Sequence, residues 1–426
     1  MLFLYKILTN ILYPFLILYI YFRKFNKKEH PKRFKEKIYS SYFNCQKKEQ
    51  SRLLWFHAAS IGELNSILPV IQSLNSNNNL EFLVTTSTYS SGELAKKEFS
   101  NYENIYHRFL PLDVNFLMSE FLKLWKPNVV FLVDSEIWPN LILQIKKQNI
   151  SLALINARIT SKTFNRWNIF IKSAKKIFGS FDFCQAANTE TKHYLERFSC
   201  KNIKYNGNIK LANKIKHEDI KNLNETILTE NKFWFAASTH EGEDVLCLKT
   251  HINLKKKFNK ILTIIAPRHI SRVKKIKNLC DKFKLKVQIL NDHEIIQNDK
   301  EIIIINSFGV LNNYYKFAKS VFIGKSTLTK LKSVGGQNPI DAAKLGCKIY
   351  HGPYVYNFKD IYEILEKGNI SKMIKDENDL SNFLIKDLES EKKNKNDISI
   401  FINELGEKTF INTMKNINTF LLDETK

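Results

Sequence analysis

The sequence predicts an α/β protein made of two parallel-sheet domains, and three observations lead to this prediction. The chain has 426 residues, more than one ordinary hydrophobic core holds. Short apolar runs alternate with segments of helical periodicity, which is the pattern of a parallel, doubly wound sheet. The alternation stops at a polar stretch, 211–232, and then starts again. We therefore expect an interdomain linker between two domains of one class.

The two predicted domains are 51–210 and 233–400, and 401–426 is predicted to be a helical tail. In the first domain, strands are predicted at 53–57, 80–86, 128–133, 151–156 and 183–187, and helices at 62–74, 90–99 and 137–147. In the second, strands are predicted at 233–237, 261–266, 286–290, 302–305 and 320–323, and helices at 241–258, 270–284 and 339–345. Two such domains with a cleft between them would bind ligands at the carboxyl ends of their strands.

The N-terminal residues, 1–24, are predicted to be a membrane anchor, followed by a basic linker, 25–50. Residues 1–22 are apolar or aromatic apart from Lys6, Thr9 and Asn10. About 20 apolar residues are needed to span a bilayer, so the segment is marginal in length, and a helix lying in the interface is the other membrane arrangement. A secretory signal would need a small-residue cleavage site, which does not follow here. A soluble core helix is the ordinary alternative.

Charge favours the membrane interpretation. The net charge of +24 implies an anionic partner, which could be nucleic acid, an anionic membrane or a phosphorylated substrate. Residues 1–37 hold nine basic and two acidic side chains, a denser surplus than elsewhere in the chain. A basic flank beside an apolar segment places that segment at the cytoplasmic face of a membrane. The six cysteines form no Cys-x-x-Cys pair, as expected for reduced thiols in the cytosol.

The first predicted strand ends in His57-Ala58-Ala59-Ser60-Ile61-Gly62-Glu63. Ser60 and Glu63 have the spacing of a capping box, in which Glu63 only caps its helix. The alternative is a general base at the carboxyl end of the strand. A glutamate at its reference pKa of ~4.3 is ionised at neutral pH, so we expect the base to need no help from burial.

A second acidic motif, Asp134-Ser135-Glu136, follows the strand predicted at 128–133. Acidic residues in the first turn of a helix are ordinary dipole and cap chemistry. The Asp-x-Glu spacing also suits a divalent cation, although further ligands are missing from the motif. Since both motifs end neighbouring strands, Glu63 and Glu136 are expected to share a cleft.

Two motifs of the second domain follow predicted strands. Ser238-Thr239-His240-Glu241-Gly242-Glu243 is either a helix cap or an anion site of backbone N–H groups and hydroxyls. It is not a zinc site of the His-Glu-x-x-His type, because the second histidine is absent. In Pro267-Arg268-His269, Arg268 is either a surface side chain or a bidentate phosphate ligand.

A third motif, Val334-Gly335-Gly336-Gln337-Asn338-Pro339-Ile340-Asp341, has two glycines that allow a tight turn. Asn338 fits an N-cap and Pro339 the first helical position. The helix N-terminus could hold a phosphate or ribose, and a purely structural turn would look the same. No Gly-x-Gly-x-x-Gly follows the first strand, which argues against a nicotinamide enzyme.

Taken together and in this order, these motifs resemble the 3-deoxy-D-manno-octulosonic acid (Kdo) transferases of lipopolysaccharide synthesis. The resemblance covers nearly the whole chain and rests on seven motifs in family order. They are the apolar anchor with Pro31-Lys32-Arg33-Phe34, the motifs at 57–63, 136–140 and 156–158, Gly207-Asn208-Ile209-Lys210, the motif at 237–243, and those at 267–269 and 335–341.

The resemblance implies a glycosyltransferase of the two-domain GT-B fold, with two Rossmann-like domains. Its activity would be transfer of Kdo from CMP-Kdo to a lipid A precursor, lipid IV(A), without cofactor or active-site metal. The enzyme would be anchored in the inner membrane with its catalytic domains in the cytoplasm. Glu63 matches the proton acceptor, and Glu136 and Lys210 match residues that stabilise the transition state. The CMP-binding positions match Pro267, Arg268, Phe308, Gly309, Val310, Asn338, Pro339, Ile340 and Asp341.

The chain departs from the family pattern at two of these positions. Phe308-Gly309-Val310 stands where the family usually has Met-Gly-Glu, and Asp341 stands where it usually has Glu. Two other functions remain open from the residues alone: a membrane-associated GT-B transferase with a UDP-sugar donor, and a non-catalytic basic membrane-binding protein. Nothing in the sequence resembles a nucleic-acid-binding module.

Overall fold

The computed structural model describes residues 1–48, 51–77, 79–215, 218, 220–390 and 395–423, and the chain forms two compact units. Unit 1 comprises Met1–Asn213 and Gly406–Lys426, and unit 2 comprises Lys214–Leu405. Each unit contains a parallel sheet of its own. The expected pair of parallel-sheet α/β domains is therefore confirmed.

The sheet of unit 1 has the order β3-β2-β1-β4-β5-β6-β7, with parallel pairing throughout the described strands. Its central strands are buried on both faces, as expected for a sheet covered by helices. The strands are β1 (Arg52–His57), β2 (Leu80–Thr86), β3 (Ile105–Phe109), β4 (Val129–Val133), β5 (Ser151–Ala157), β6 (Phe183–Ala186) and β7 (Ile203–Tyr205).

The helices of unit 1 connect these strands and cover the sheet. They are α1 (Leu2–Ile11), α2 (Tyr13–Phe25), α3 (Ile61–Leu74), α4 (Tyr89–Phe99), α5 (Asn115–Trp125), α6 (Pro139–Lys147), α7 (Ser161–Ile169), α8 (Ile171–Phe178) and α9 (Thr189–Arg197). Short 3₁₀ turns lie at Arg33–Lys37, Ser40–Tyr42 and Ile209–Ala212.

The sheet of unit 2 is also parallel, with the order β10-β11-β9-β8-β12-β13-β14. Its strands are β8 (Phe233–Thr239), β9 (Leu262–Pro267), β10 (Val287–Leu290), β11 (Ile302–Ile305), β12 (Ser320–Ile323), β13 (Lys348–His351) and β14 (Ser371–Met373). Its helices are α10 (Glu225–Glu230), α11 (Glu243–Lys255), α12 (Val273–Lys282), α13 (Leu311–Tyr315), α14 (Ile340–Lys344), α15 (Lys359–Lys367) and α16 (Glu377–Glu389).

The longest runs of hydrophobic periodicity were predicted correctly, and the elements that sequence reasoning missed are mostly short or polar. β7 and β14 are three-residue edge strands with largely exposed residues, so they lack the apolar run that marks a buried strand. β3, β13, α13 and α15 were also missed, as was α5, which is neither short nor polar. The predicted linker, 211–232, contains helix α10, because Leu228 is buried in unit 2.

The C-terminal helix, α17 (Lys395–Asp423), does not form a separate tail. Phe420 packs against Phe131 of β4 and Phe183 of β6, with ring centroids 6.2 and 5.5 Å apart. Met414, Ile417 and the other apolar side chains of this end belong to the same core cluster. The predicted boundary at 401 therefore differs from the observed one, since hydrophobic burial makes Gly406–Lys426 part of unit 1.

The apolar N-terminus forms two helices, α1 and α2, rather than one. The described residues contain no single helix that is long and apolar enough to cross a membrane. The α1–α2 pair passes such a test only when taken together, and it is bent by 61°. Pro14 lies in the first turn of α2, where proline ends the preceding helix and is tolerated in the new one.

Candidate active site

The carboxyl ends of β1 and β4 bring two glutamates together in unit 1. These strands are neighbours, and the sheet order reverses between them. In open parallel sheets, ligands bind at such a reversal, beyond the carboxyl ends of the strands. Glu63 lies in the first turn of α3, after β1, and Glu136 lies in the loop after β4. Their carboxylates are close enough for Glu136 to raise the pKa of Glu63.

Glu63 makes the hydrogen bonds of a helix cap. Its Oε2 accepts the N–H of Ala59 at 2.7 Å, and its Oε1 accepts the hydroxyl of Ser60 at 3.0 Å. The capping interpretation is therefore correct for the bonds themselves. It does not exclude the base interpretation, because an ionised carboxylate has about four acceptor sites and the side chain is only half-buried.

Burial and neighbouring charge raise the pKa of Glu63 to about 7. Desolvation is the largest cause, followed by the negative charges of Glu136 and Asp134, while the bonds from Ser60 and Ala59 act in the opposite direction. The expectation that Glu63 titrates as an ordinary glutamate was wrong, because a sequence does not show which carboxylates become neighbours. A carboxylate with a pKa near neutral pH is a stronger base than an unperturbed one.

Two side-chain nitrogens lie within hydrogen-bond distance of a single oxygen of Glu136. The Nε2 atom of His57 lies 3.2 Å from Glu136 Oε2, and the indole N–H of Trp138 donates to the same oxygen at 2.7 Å. His57 is fully buried at the end of β1, and its Nδ1 lies 2.9 Å from the hydroxyl of Thr85 on β2. The orientation of Glu136 is therefore fixed from two sides.

Lys210 lies beside the same strand end. Its Nζ is 2.8 Å from Oδ2 of Asp134, and the backbone N–H of Lys210 donates to the Asn208 side chain at 3.0 Å. Asp134 has a φ of 61°, a left-handed conformation that is strained for a non-glycine residue. Lys210 thus lies at the carboxyl end of β4, with Asp134 as an ion-pair partner.

Asn156 fixes the segment that carries Lys210. It ends β5 with a φ of 54°, and its Oδ1 accepts the N–H of Ile209 at 3.0 Å. Its buried Nδ2 has no hydrogen-bond partner among the described residues. The strain and the unpaired amide both fall at the carboxyl edge of the sheet, where strain is commonly stored for function.

The Asp-x-Glu spacing of the acidic motif in unit 1 also suits a divalent cation. In the structure Asp134 is paired with Lys210, and Glu136 accepts from Trp138 and lies 3.2 Å from Nε2 of His57. Within the described part of the chain, no three His, Cys, Asp or Glu side chains are grouped as metal ligands.

In unit 2, a glutamate of the motif after β8 fills the anion site that this motif could form. Glu243 is fully buried, and its carboxylate accepts the N–H groups of His240, Lys325, Ser326 and Thr327 at 2.7–3.1 Å, together with the Thr327 hydroxyl. The expected cradle of backbone N–H groups therefore exists, but a protein carboxylate fills it. Its role is to join the loop after β8 to the loop after β12.

Glycines let these loops approach closely. A side chain at Gly324 would meet the carbonyl oxygen of Ser238 at 2.6 Å and the carboxylate of Glu243 at 2.8 Å. Gly336 has a φ of 89°, and its N–H donates to the carbonyl of Lys325 at 2.7 Å. The loops after β8 and β12 and the Gly335-Gly336 turn are thus packed together at the carboxyl edge of the sheet, at its reversal point.

The expected CMP-binding positions lie on loops of that same edge. Pro267 ends β9, and the N–H of Arg268 donates to the Thr239 carbonyl at 3.0 Å, while the Arg268 side chain is exposed. Phe308 is also exposed, and Gly309 has a φ of 77°. Val310 lines a cavity of ≈ 200 Å³, smaller than the ~300–1,000 Å³ of typical ligand pockets.

The helix after the Gly335-Gly336 turn begins one residue later than expected. Pro339 is the N-cap of α14, and Oδ1 of Asn338 accepts the N–H of Ile340 at 3.0 Å. The side chain of Asn338 already uses one of the N–H groups that a phosphate would need. Desolvation raises the pKa of Asp341, and Lys344 opposes that rise.

Sequence reasoning missed four of the residues that shape these sites. They are His57, Trp138, Asn156 and Glu243, and each lies within a motif that the sequence analysis quoted. Their positions at strand ends were the available signal. The distant partners of His57, Asn156 and Glu243 lie 28 or more residues away in the chain and could not be identified from spacing.

Comparison with known proteins places the chain among the Kdo transferases. Residues 32–213 match the family described as 3-deoxy-D-manno-octulosonic-acid transferase (kdotransferase). A probable mitochondrial 3-deoxy-D-manno-octulosonic acid transferase of Arabidopsis thaliana is 30% identical over 378 residues, covering 86% of this chain and 83% of that protein. The transferase of Aquifex aeolicus is 28% identical, over 77% of this chain and 83% of its own length.

Solved structures show the same fold at low sequence identity. A UDP-GlcNAc 2-epimerase from Neisseria meningitidis is 13% identical, with a TM-score of 0.56, over 87% of this chain and all of that protein. A UDP-N-acetylglucosamine 2-epimerase from Rickettsia bellii is 14% identical, with a TM-score of 0.51, over 86% of this chain and 98% of its own. The similarity to these solved structures shows only the fold. The sequence identity to the transferases, over most of their length, shows the family. The chain belongs to the 3-deoxy-D-manno-octulosonic acid transferase family and is a glycosyltransferase.

Proposed function

We propose that this glycosyltransferase transfers Kdo from CMP-Kdo to a lipid A precursor, lipid IV(A), with Glu63 as the general base. The observation that carries the base assignment is the position of Glu63 at the reversal point of the unit 1 sheet, beside Glu136. Its pKa of about 7 suits a group that must accept a proton near neutral pH. The donor and the acceptor follow from the family resemblance.

The reaction needs a proton acceptor and a way to stabilise the leaving group. A hydroxyl oxygen of the acceptor sugar attacks the anomeric carbon of Kdo while Glu63 takes the hydroxyl proton. The bond from that carbon to the phosphate oxygen breaks, and CMP leaves with the bonding electron pair. Since a carboxylate is a weak base for an alcohol, proton transfer and attack should be concerted.

Cationic side chains would offset the charge that develops on CMP. The exposed guanidinium of Arg268 is suited to bidentate phosphate binding. Lys210 is held by Asp134 at 2.8 Å, and Asp134 itself acts electrostatically on Glu63. Helix α14 has five residues, and one of its first N–H groups is bonded to Asn338. We therefore assign the phosphate chiefly to side chains and not to the end of this helix.

The pH dependence of the reaction tests the base. Glu63 must be ionised to accept a proton, so kcat/KM of the wild-type enzyme should fall as the pH drops through about 7. Glu63→Gln should remove nearly all turnover and leave CMP binding unchanged. A wild-type profile that is flat from pH 5 to pH 8, or a Glu63→Gln variant with normal turnover, would show that Glu63 is not the base.

Donor competition and product analysis test the substrates. CMP should inhibit the enzyme, and UDP should not. Incubation with CMP-Kdo and a tetra-acylated lipid A precursor should give products heavier by one or more Kdo units in mass spectrometry. Inhibition by UDP with no effect of CMP would instead support a UDP-sugar donor.

We also propose that α1 and α2 attach the enzyme to the cytoplasmic face of the inner membrane by lying in the interface. Helices of 10 and 13 residues are about 15 and 20 Å long, shorter than the ~30 Å hydrocarbon core. Tyr5 and Ile20 face unit 1: the Tyr5 hydroxyl donates to Asp113 at 2.9 Å, and Ile20 packs in a small core cluster. Large apolar side chains remain exposed on the pair, namely Phe3, Leu4, Ile11, Phe15, Leu18, Phe22 and Phe25.

The basic residues beside α2 divide into two groups. Arg23 and Lys37 both pair with Glu29, and Arg33 pairs with Glu36, so these three have structural partners. Lysines on the same segment are exposed and suited to anionic headgroups, namely Lys24, Lys27, Lys28 and Lys32. Interfacial binding should therefore combine apolar insertion with electrostatic attraction.

Vesicle flotation tests this attachment. The full chain should bind vesicles with anionic phospholipid more tightly than neutral ones, and Phe15→Glu with Phe22→Glu should weaken binding strongly. Ile169→Glu is the control, because Ile169 is 74% exposed on α7, outside the helix pair. Equal binding by the double variant and the control would contradict the proposal.

A further inference from the structure

We propose that His57 is a positioning residue for the transfer reaction. A hydrogen-bond chain that starts at Trp55 fixes the neutral Nε2–H form of His57, and this N–H holds the carboxylate of Glu136 beside Glu63. The proposal rests on the proposed role of Glu63. It concerns residues of β1 and β2 that make no contact with the reacting atoms and act through Glu136.

The direction of the hydrogen-bond chain follows from which protons each group can donate. The indole of Trp55 is a donor only, and its N–H donates to the Thr85 hydroxyl oxygen at 2.8 Å. That hydroxyl has one proton to give, and Nδ1 of His57 lies 2.9 Å away. If Nδ1 accepts this proton, the imidazole carries its own proton on Nε2, and Nε2–H points at Glu136 Oε2 at 3.2 Å.

The opposite tautomer is the competing arrangement. The carbonyl oxygen of Thr85 lies 3.1 Å from Nδ1 and could accept an Nδ1–H. Nε2 would then turn a lone pair toward Glu136, which places two acceptors 3.2 Å apart. The Thr85 hydroxyl would also lose its acceptor. The Nε2–H form satisfies both ends of the chain, so the structure favours it.

Burial makes this chain effective. Trp55, His57 and Thr85 are each fully buried, so the recorded bonds are made where water does not compete. Buried polar groups that lose their partners cost about 1–3 kcal/mol each, which holds the chain in one arrangement. Its last member, Glu136, is half-buried at the strand end next to Glu63. The hydrogen-bond chain thus fixes the side chain of Glu136 relative to strands β1 and β2.

Glu136 in turn sets the surroundings of Glu63. In the proposed tautomer, the imidazole of His57 and the indole of Trp138 are both uncharged donors, so they orient the carboxylate of Glu136 without cancelling its charge. The groups that act on Glu63 are the carboxylates of Glu136 and of Asp134, the latter paired with Lys210, together with the Ser60 hydroxyl and the Ala59 N–H. Displacing or protonating Glu136 removes one of the two negative neighbours of Glu63.

A matched pair of variants at Thr85 tests the chain without touching the site. Thr85→Val keeps the shape of the side chain and removes the hydroxyl, whereas Thr85→Ser keeps the hydroxyl and removes a methyl group. Thr85→Val should lower kcat by about 10–100-fold, the range seen when an orienting partner of an active-site group is lost. The KM for CMP-Kdo and the affinity for CMP should stay unchanged, and Thr85→Ser should keep most of the activity.

The pH profile separates orientation from packing. In Thr85→Val the acid limb of kcat/KM should move to lower pH, because Glu63 loses part of the negative field that raises its pKa. If Thr85 only fills space in the core, Thr85→Ser should be the less active variant because it loses volume. The acid limb of kcat/KM should then stay at the same pH in both variants. Wild-type kcat in Thr85→Val with an unmoved limb would overturn the proposal.

The tautomer can be measured independently of catalysis. Nitrogen-15 NMR of the full chain labelled at histidine, with His57 identified by the loss of its signals in His57→Gln, should show protonation at Nε2 and a bare Nδ1. In Thr85→Val the proton should move to Nδ1. A wild-type ring protonated at Nδ1, or at both nitrogens, would overturn the assignment of His57. Failure of Glu63 as the base would appear separately, as an active Glu63→Gln variant.

Discussion

Glu63 of unit 1 and Glu243 of unit 2 occupy equivalent places and are used in different ways. Each lies in the first turn of the helix that follows the strand at the reversal point of its sheet. Among the described residues, the carboxylate of Glu63 accepts bonds only from Ser60 and Ala59, close to its own turn, and burial with two negative neighbours raises its pKa to about 7. Glu243 accepts four backbone N–H groups and one hydroxyl.

The difference shows what makes a carboxylate reactive or structural at the same point of a fold. N–H donors that surround Glu243 stabilise its charge and leave it no free face. Glu63 has few donors and lies close to Glu136 and Asp134, so its ionised form is disfavoured and its oxygens stay accessible. Unit 1 therefore has a glutamate of raised pKa at its strand end, whereas unit 2 uses the equivalent residue to join two loops.

The largest expected effect is the loss of turnover in Glu63→Ala. General-base catalysis contributes about 10²–10⁴ in rate, so kcat should fall by at least that range while CMP binding persists. Steady-state transfer assays and calorimetric titration with CMP measure the two quantities. If Glu63→Ala kept turnover near the wild-type value, Glu63 would not differ from Glu243 in having a role in the reaction.

The second effect concerns the stability of unit 2. Glu243→Gln keeps the size of the side chain but points an NH₂ group at backbone donors, so we expect a loss of about 1–3 kcal/mol or more, since buried donors are left unpaired. CMP affinity should fall with it, because the loops after β8 and β12 are no longer joined. Chemical denaturation measures the change.

Glu241 provides the matched control for this variant. It lies two residues earlier in the same motif, and its side chain is 70% exposed. Glu241→Gln should change the free energy of unfolding by less than about 0.5 kcal/mol. Equal destabilisation by both variants would mean that the buried carboxylate of Glu243 is not a structural centre.

The third effect is a gain in stability that depends on pH. The pKa of Glu63 is raised in the folded state, from 4.5 to about 7. Ionisation of Glu63 therefore destabilises the folded state. The stabilising contribution of the protonated carboxyl is complete below the unfolded-state pKa and is lost as the pH rises through 7. Glu63→Gln, which stays neutral, should be more stable than the wild type at pH 8, by up to a few kcal/mol, and little different at pH 4. Thermal unfolding at the two pH values checks the sign, and a destabilised variant at pH 8 would contradict it.

The smallest effect is expected from Ser60→Ala. The hydroxyl of Ser60 accepts the N–H of Glu63 and donates to its carboxylate, so its loss should cost about 1 kcal/mol as a lost N-cap. The same change should raise the pKa of Glu63 further and move the acid limb of kcat/KM to higher pH. Asn188→Ala removes the N-cap of α9 and should cost similar stability without moving the limb.

The sequence by itself determined the architecture of two parallel-sheet domains and the position of the quoted motifs at strand ends. Apolar runs and helical periodicity are local properties, and they identified β1, β2, β4, β8 and β9 with the helices that follow them. Motifs placed directly after those strands had to meet at one edge of each sheet, because parallel strands share an edge. Short or polar elements such as β7 and β14 escaped prediction, since no apolar run marks them.

Only the tertiary structure decided what each acidic residue does. The same first-turn position gave a carboxylate of raised pKa at Glu63 and a buried loop anchor at Glu243, because the deciding partners come from distant segments: Glu136 in one case and 325–327 in the other. It also decided that the C-terminal helix completes the core of unit 1, and that His57 faces Glu136. Electrostatics and hydrogen bonding depend on distances between side chains, and a sequence does not contain those distances until the chain has folded.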